Sequence, residues 1–230
     1  ADDKLTEIDQ WALLRLQKVV QEANQAYDNY EYHRVYHAVH NFCAVEMSSF
    51  YMDVSKDRLY TLLPDDDVRR SAQTAMYKIL MTLTKLIAPI LVHTAEEIWQ
   101  EFPAEYAESI FLTDWPEVEK QYLDDELAAK WNRLLEIRKD VSKALELARE
   151  ESIVGHSLDA EVKLYPTEKI AEFLDQFDDL AELFITSKVE VAKPAAEADE
   201  ENVYTGQNTG IEVAVGTKKK KKCDRCWHYS

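Results

Sequence analysis

Residues 1–154 of this 230-residue chain contain no glycine; the four it has stand at 155, 206, 210 and 216. A stretch that long without glycine has little use for the tight turns that join short strands, and it favours long helices. The apolar residues agree, recurring at three- and four-residue steps. Ala12, Leu16, Val19, Ala23, Tyr27 and Tyr30 make one stripe. Val35, Ala38, Phe42, Val45 and Ser49 predict a second helix of ordinary α pitch. Pro64 and Asp65 to Asp67 then make a loop, whose acids suit the positive end of the next helix. That helix shows Val68, Ala72, Met76, Ile79, Leu83 and Leu86 and runs into Pro89. Thr94 to Glu97 has the spacing of a capping box and should open a short helix. Beyond Pro103 and Pro116, Leu127, Trp131, Leu134, Val141, Leu145 and Ala148 mark a long helix. Roughly five helices whose stripes face one another give a bundle over 1–150.

The pattern then changes. "AEVKLY", "KVEVA" and "IEVAV" alternate as strands do, while "KIAEFLDQF" reads as a helix. Residues 151–216 are therefore expected to form a small α+β module, with a mobile loop over "KPAAEADEENVYTGQNTG". Residues 217–230 are a third element, expected to be cut short. The fold class is mainly α.

Net charge is −17, or −22 with Lys218 to Lys222 set aside. A general basic coat for nucleic acid is excluded, so any RNA must be met by a local strip. No apolar run reaches the ~20 residues that cross a bilayer, and the opening "ADDKLTEIDQW", which lacks an initiator Met, does not read as a signal peptide and is expected to begin mid-protein. Three cysteines make no disulfide framework and suit a reducing cytosol, with Cys43 expected in the core. The sequence has no glycine-rich phosphate loop and no nucleophile elbow, so it carries no catalytic signature of its own.

Two local patterns carry chemistry. His33, His37 and His40 share a helical face with Arg34 and Asn41 nearby, which reads as a polar face, a metal site or a hydrogen-bonding surface for a partner. Arg58, Arg69 and Arg70 cluster near helix ends, and Lys130, Arg133, Arg138, Lys139 and Lys143 run along the long helix. Arginine, asparagine and aromatic groups together suit unstacked single-stranded bases. The closing Cys223-x-x-Cys226 reads best as half of a four-cysteine zinc site rather than a redox pair, with an incidental pair as the alternative.

Several stretches resemble bacterial isoleucyl-tRNA synthetases, in family order along nearly the whole chain. They include "AYDNYEYHRVYHAVHNFCAVEMSSFYMDVSKDRLYT", "LIAPILVHTAEEIW", "ELAREESIVGHSLDAEVKLY" and "KCDRCWHYS". The resemblance implies a cytoplasmic, class I aminoacyl-tRNA synthetase of monomeric type. In it, 1–150 is an anticodon-binding bundle and 217–230 the first half of a zinc knuckle. Cys223 and Cys226 would supply two of four zinc ligands. The five lysines before them depart from the family pattern. Neither His-Ile-Gly-His nor Lys-Met-Ser-Lys-Ser occurs here, so ATP and magnesium belong to a catalytic domain outside this chain. The implied partner is an isoleucine-specific tRNA, met at its anticodon stem-loop. His37, Asn41, Arg58, Arg69, Arg70 and Trp227 are the candidate contacts. A protein-docking module, a free-standing tRNA-binding regulator and a metal-dependent hydrolase using the histidines are the alternatives.

Overall fold

The computed structural model describes residues 4–103, 106–194, 198 and 201–217. Cys223, Cys226, Trp227 and the lysine run lie outside the described residues, as does part of the expected loop after Lys193. The described chain is mainly helical with one small mixed sheet, as the sequence predicts. It divides into two compact units, Ala1–Ala128 and a second beginning at Ala129.

The first unit is organised around α1 (Glu7–Asp28). Its stripe is wide: Trp11, Leu13, Leu14, Leu16, Val20, Ala23 and Ala26 are all buried, so the helix is covered on several sides. Packed on it are α2 (Tyr32–Asn41), the π-helix Phe42–Tyr51 and α4 (Asp67–Ile87). The turn between α1 and α2 is a Schellman closure, with Glu31 N–H donating to the Ala26 carbonyl and Tyr30 N–H to that of Tyr27. Tyr30 takes its left-handed position at φ 57°.

After α3 (Met52–Thr61) the expected acidic loop begins α4, where the Asp66 carboxylate accepts from the amides of Val68 and Arg69. A second small core gathers Ala88, Ala95, Trp99 and Ile110 around α5 (Val92–Gln100).

Three details depart from the sequence reading. The helix expected to start at Thr94 begins at Val92, without a capping box. Ala95 N–H already donates to the Leu91 carbonyl, so the chain is helical before Thr94 is reached. Glu96, the neighbour of the Glu97 that a box would use, ties α5 to the chain ahead, accepting from the Ser109 hydroxyl at 2.8 Å and the Ile110 amide at 3.2 Å. The stripe of the second helix fails beyond Phe42. The bonds of a π-helix span five residues rather than four, so the buried positions become Phe42, Met47, Phe50 and Tyr51. Val45, expected inside, is 62% exposed, and Cys43, expected in the core, is exposed as well.

The long helix α6 (Asp125–Glu150) groups from Ala129 onward with the second unit, while the sequence reading kept 1–150 together. Its apolar side there meets aromatic residues further along the chain, Trp131 edge-on to Phe177 at 6.2 Å. An apolar stripe does not reveal which neighbour it covers. The expected basic strip on α6 is partly spent inside this unit. Arg133 donates to the Lys169 carbonyl and lies over the Phe173 ring, and Arg138 donates to the Leu183 carbonyl.

The sheet has the order β2-β1-β4-β3, from Lys188–Val191, Ala160–Tyr165, Glu212–Thr217 and Val203–Thr205. β1 runs parallel to β2 and antiparallel to β4. Two short helices, α7 (Glu168–Leu174) and α8 (Leu180–Phe184), fill the crossover from β1 to β2. The turn from β3 to β4 is seated on α6. At Gly206 a Cβ would stand 2.5 Å from the Asp140 side chain. Gly206→Ala is therefore expected to cost about 1–3 kcal/mol, seen as a lower thermal midpoint. An unchanged midpoint would show that the turn can lift off the helix freely.

Candidate nucleic-acid interface

α2, the π-helix and α3 follow one another without interruption from Tyr32 to Thr61. One side of this rod is fixed to the first unit. Val35, Phe42, Met47, Phe50, Tyr51 and Val54 are buried, with Phe50 edge-on to Trp11 at 5.4 Å.

A polar network adds direction to that packing. Asp9, with no exposed surface, accepts from Tyr51 O–H at 2.6 Å, from Thr6 O–H at 2.6 Å and from Ser71 O–H. Arg58 stands 3.6 Å from Asp9 and donates to Thr6 Oγ1. Burial first, and the Asp9 charge second, push the Tyr51 pKa far up, so its hydroxyl stays a donor.

The other side of the rod faces solvent. It presents Tyr36, His37, His40, Asn41, Ala44, Val45, Ser48 and Met52, three adjacent pairs and two single residues spaced about a helical turn apart. Tyr36 lies against both histidines, its ring 5.2 Å from His37 and 5.5 Å from His40.

Charge sets this face apart. Asp and Glu make up 44 of 230 residues in the chain, yet residues 32–52 include one, Glu46. Arg15 neutralises it through two bonds, Nε to Oε2 at 2.7 Å and an Nη to Oε1 at 2.5 Å. Between Tyr36 and Ser48 a phosphate chain meets hydroxyl, imidazole, amide and ring groups; the first exposed carboxylate beyond them is Asp53, beside Met52.

The sequence candidates separate accordingly. His37 and Asn41 stand together on the open face. Arg58 does not: its side chain is 11% exposed and committed to Asp9 and Thr6. A phosphate contact by Arg58 is replaced by a structural role. Arg69 donates to the Leu62 carbonyl and is half-buried, while Arg70 is exposed at the start of α4, beside Gln73. Tyr36, Ser48 and Met52 were missed as members of the face. Tyr36 could have been found from its i+4 step to His40; Ser48 and Met52 could not, because a straight α-helix turns them elsewhere. Among the described residues no group of three His, Cys, Asp or Glu side chains is placed to hold a metal ion, and His33, His37 and His40 make none.

The first unit is thus a helical module that carries, in an otherwise acidic chain, an open face of rings and hydrogen-bonding groups from Tyr36 to Met52. The chain belongs to the family of the anticodon-binding domain of tRNA ligases, which it matches over residues 9–164. It is 50% identical over its whole length to the isoleucine--tRNA ligase of Syntrophotalea carbinolica, covering 25% of that protein. To the isoleucine--tRNA ligase of Caldanaerobacter subterraneus subsp. tengcongensis it is 46% identical over 99% of its length, again covering 25% of the relative. The chain thus spans about a quarter of the curated relatives it matches.

Proposed function

We propose that this chain recognises the anticodon stem and loop of an isoleucine-accepting tRNA, as part of a longer isoleucine--tRNA ligase of the cytosol. The observation that carries the reading is the acid-poor stretch from Tyr32 to Met52, whose one acid is paired with Arg15, in a chain of the anticodon-binding family. The family match favours it over a protein-docking module. Activation of isoleucine with ATP and magnesium, and its transfer to tRNA, belong to the rest of the ligase.

Anticodon bases are single-stranded and can be splayed out, so their faces stack on rings and their edges meet amides and hydroxyls. Tyr36 is the stacking platform, with His37, Asn41 and Ser48 reaching base edges or sugar hydroxyls. Arg70, with Arg69 behind it, meets phosphate. Binding energy gathered here aligns the distant acceptor end and so appears in the rate of transfer as well as in affinity. Cys223 and Cys226 would supply two thiolates toward a zinc site of the longer ligase, and Trp227 is a candidate stacking ring.

The test is binding of this chain to the anticodon stem-loop of an isoleucine tRNA and to one with a changed anticodon, at two salt concentrations. A preference for the cognate loop that survives higher salt is expected. Tyr36→Ala should weaken cognate binding by about tenfold, the scale of one stacked base. Arg70→Ala should weaken both loops alike and lower the salt slope by about one. Equal binding of both loops, unaffected by Tyr36→Ala, would sink the reading.

A further inference from the structure

A hollow of about 460 Å³ opens at the end of α1, lined by Asn24, Tyr27, Asp28, Pro89, Trp115 and Glu117. Its walls are aromatic. The Tyr27 ring meets Trp115 edge-on at 5.2 Å and Tyr32 at 5.9 Å, and Tyr32 meets Tyr30 at 6.4 Å.

The walls are also braced. Tyr27 O–H donates to the Leu86 carbonyl at 2.7 Å, Trp115 Nε1–H to Asn24 Oδ1 at 2.7 Å, and Asn24 Nδ2–H to the Pro116 carbonyl at 3.1 Å. Burial and the neighbouring Tyr32 push the Tyr27 pKa up to about 12, so that ring adds no charge. Every ring-borne donor on these two walls is thus committed to the protein. The groups left over are the carboxylates of Asp28 and Glu117, which have no ion-pair partner among the described residues.

Negative ring faces beside two unpaired carboxylates attract a cation. They repel phosphate, which separates this hollow from the acid-poor face of the rod. Among cationic groups a guanidinium fits best. It is planar, stacks on aromatic rings, gives up its hydration more readily than an ammonium and meets a carboxylate through two parallel bonds.

We propose that the hollow bounded by Tyr27, Trp115, Asp28 and Glu117 is a docking site for an arginine side chain presented by a protein segment. The occupant is protein rather than RNA, because the carboxylates of Asp28 and Glu117 repel a phosphate chain and attract a cationic side chain. This site does not depend on the anticodon reading.

The experiment titrates N-acetyl-arginine amide into the 230-residue chain and follows the Trp115 indole N–H by NMR, assigned through Trp115→Phe. The citrulline and lysine analogues serve as controls. A saturable shift in the millimolar range is expected for arginine. It should be weaker with lysine, absent with citrulline, and reduced at least fivefold in the Asp28→Asn/Glu117→Gln double variant. Raising salt should weaken arginine binding in the unaltered chain, a readout that holds even if the double variant misfolds. No saturable shift, an equal shift with citrulline, or salt-insensitive binding overturns the proposal; equal binding of lysine overturns the choice of guanidinium.

Discussion

Asp9→Ala is expected to lower the unfolding free energy by about 3–5 kcal/mol, the usual cost of leaving one member of a buried charge pair without the other. The carboxylate is fully buried and is the common acceptor for the hydroxyls of Thr6, Tyr51 and Ser71. Without it Arg58 is left nearly enclosed without the Asp9 charge, and three hydroxyls lose their acceptor together. Asp9→Asn keeps an acceptor oxygen and most of the shape, and should lose about 1–3 kcal/mol. An apolar pair, Asp9→Leu with Arg58→Met, should recover only the part of the loss that comes from the charge, because the hydroxyls of Tyr51 and Ser71 still lack their acceptor. Urea unfolding reads these directly, as a shift of midpoint at constant slope. A loss below about 1 kcal/mol for Asp9→Ala would mean that water reaches Arg58 and that the network does not fix the rod.

The second large effect belongs to Asp140 on α6, which is 3% exposed. One oxygen accepts from the Asn208 amide at 3.0 Å and its side chain at 2.7 Å; the other accepts from the Thr209 amide at 2.8 Å and its hydroxyl at 2.7 Å. Burial by itself would raise the Asp140 pKa, but these four bonds together outweigh it and hold the value below the ordinary 3.8. Removing the acceptor in Asp140→Ala should cost about 2–3 kcal/mol and free the β3–β4 turn.

The sign with pH follows from the depression. The stabilisation is complete above the unfolded value near 3.8 and is lost as pH falls through the lower folded value. Unfolding midpoints compared between pH 5 and pH 2 should fall more steeply in the unaltered chain than in Asp140→Asn, which has no such proton to bind. Identical pH slopes for the two proteins would contradict this account.

Much of the helical plan is legible from spacing alone. The α1 stripe, the Asp66 cap, the apolar side of α6 and the alternating strands all appear where local pattern places them, because each follows from neighbours three, four or two residues away. The two carboxylates that hold most energy are not legible in that way. Asp9 lies in the first turn of a helix, where an acid reads as an ordinary response to the helix dipole, and only the approach of Tyr51, Arg58 and Ser71 gives it a second role. Asp140 reads as one more solvated acid on a charged helix until a glycine turn 66 residues later closes over it. The candidate interface was half legible. Histidine and asparagine spacing located it, but chemistry alone put Arg58 beside them, and burial takes it away. Val45, Ser48 and Met52 depend on a change of helical winding for which the local residue pattern carries no sign.

That change of winding gives the rod a tolerance of length. The ten residues from Phe42 to Tyr51 wind more loosely than the α-helices on either side. The spare residue in each loose turn is slack that a tighter α-turn would not need. Loss of one residue in this stretch can be taken up by converting a loose turn into a tight one, with Asn41 and Met52 keeping their outward aim. The surface between them can thus change in sequence and in length while the anchors at Val35 and Val54 stay seated.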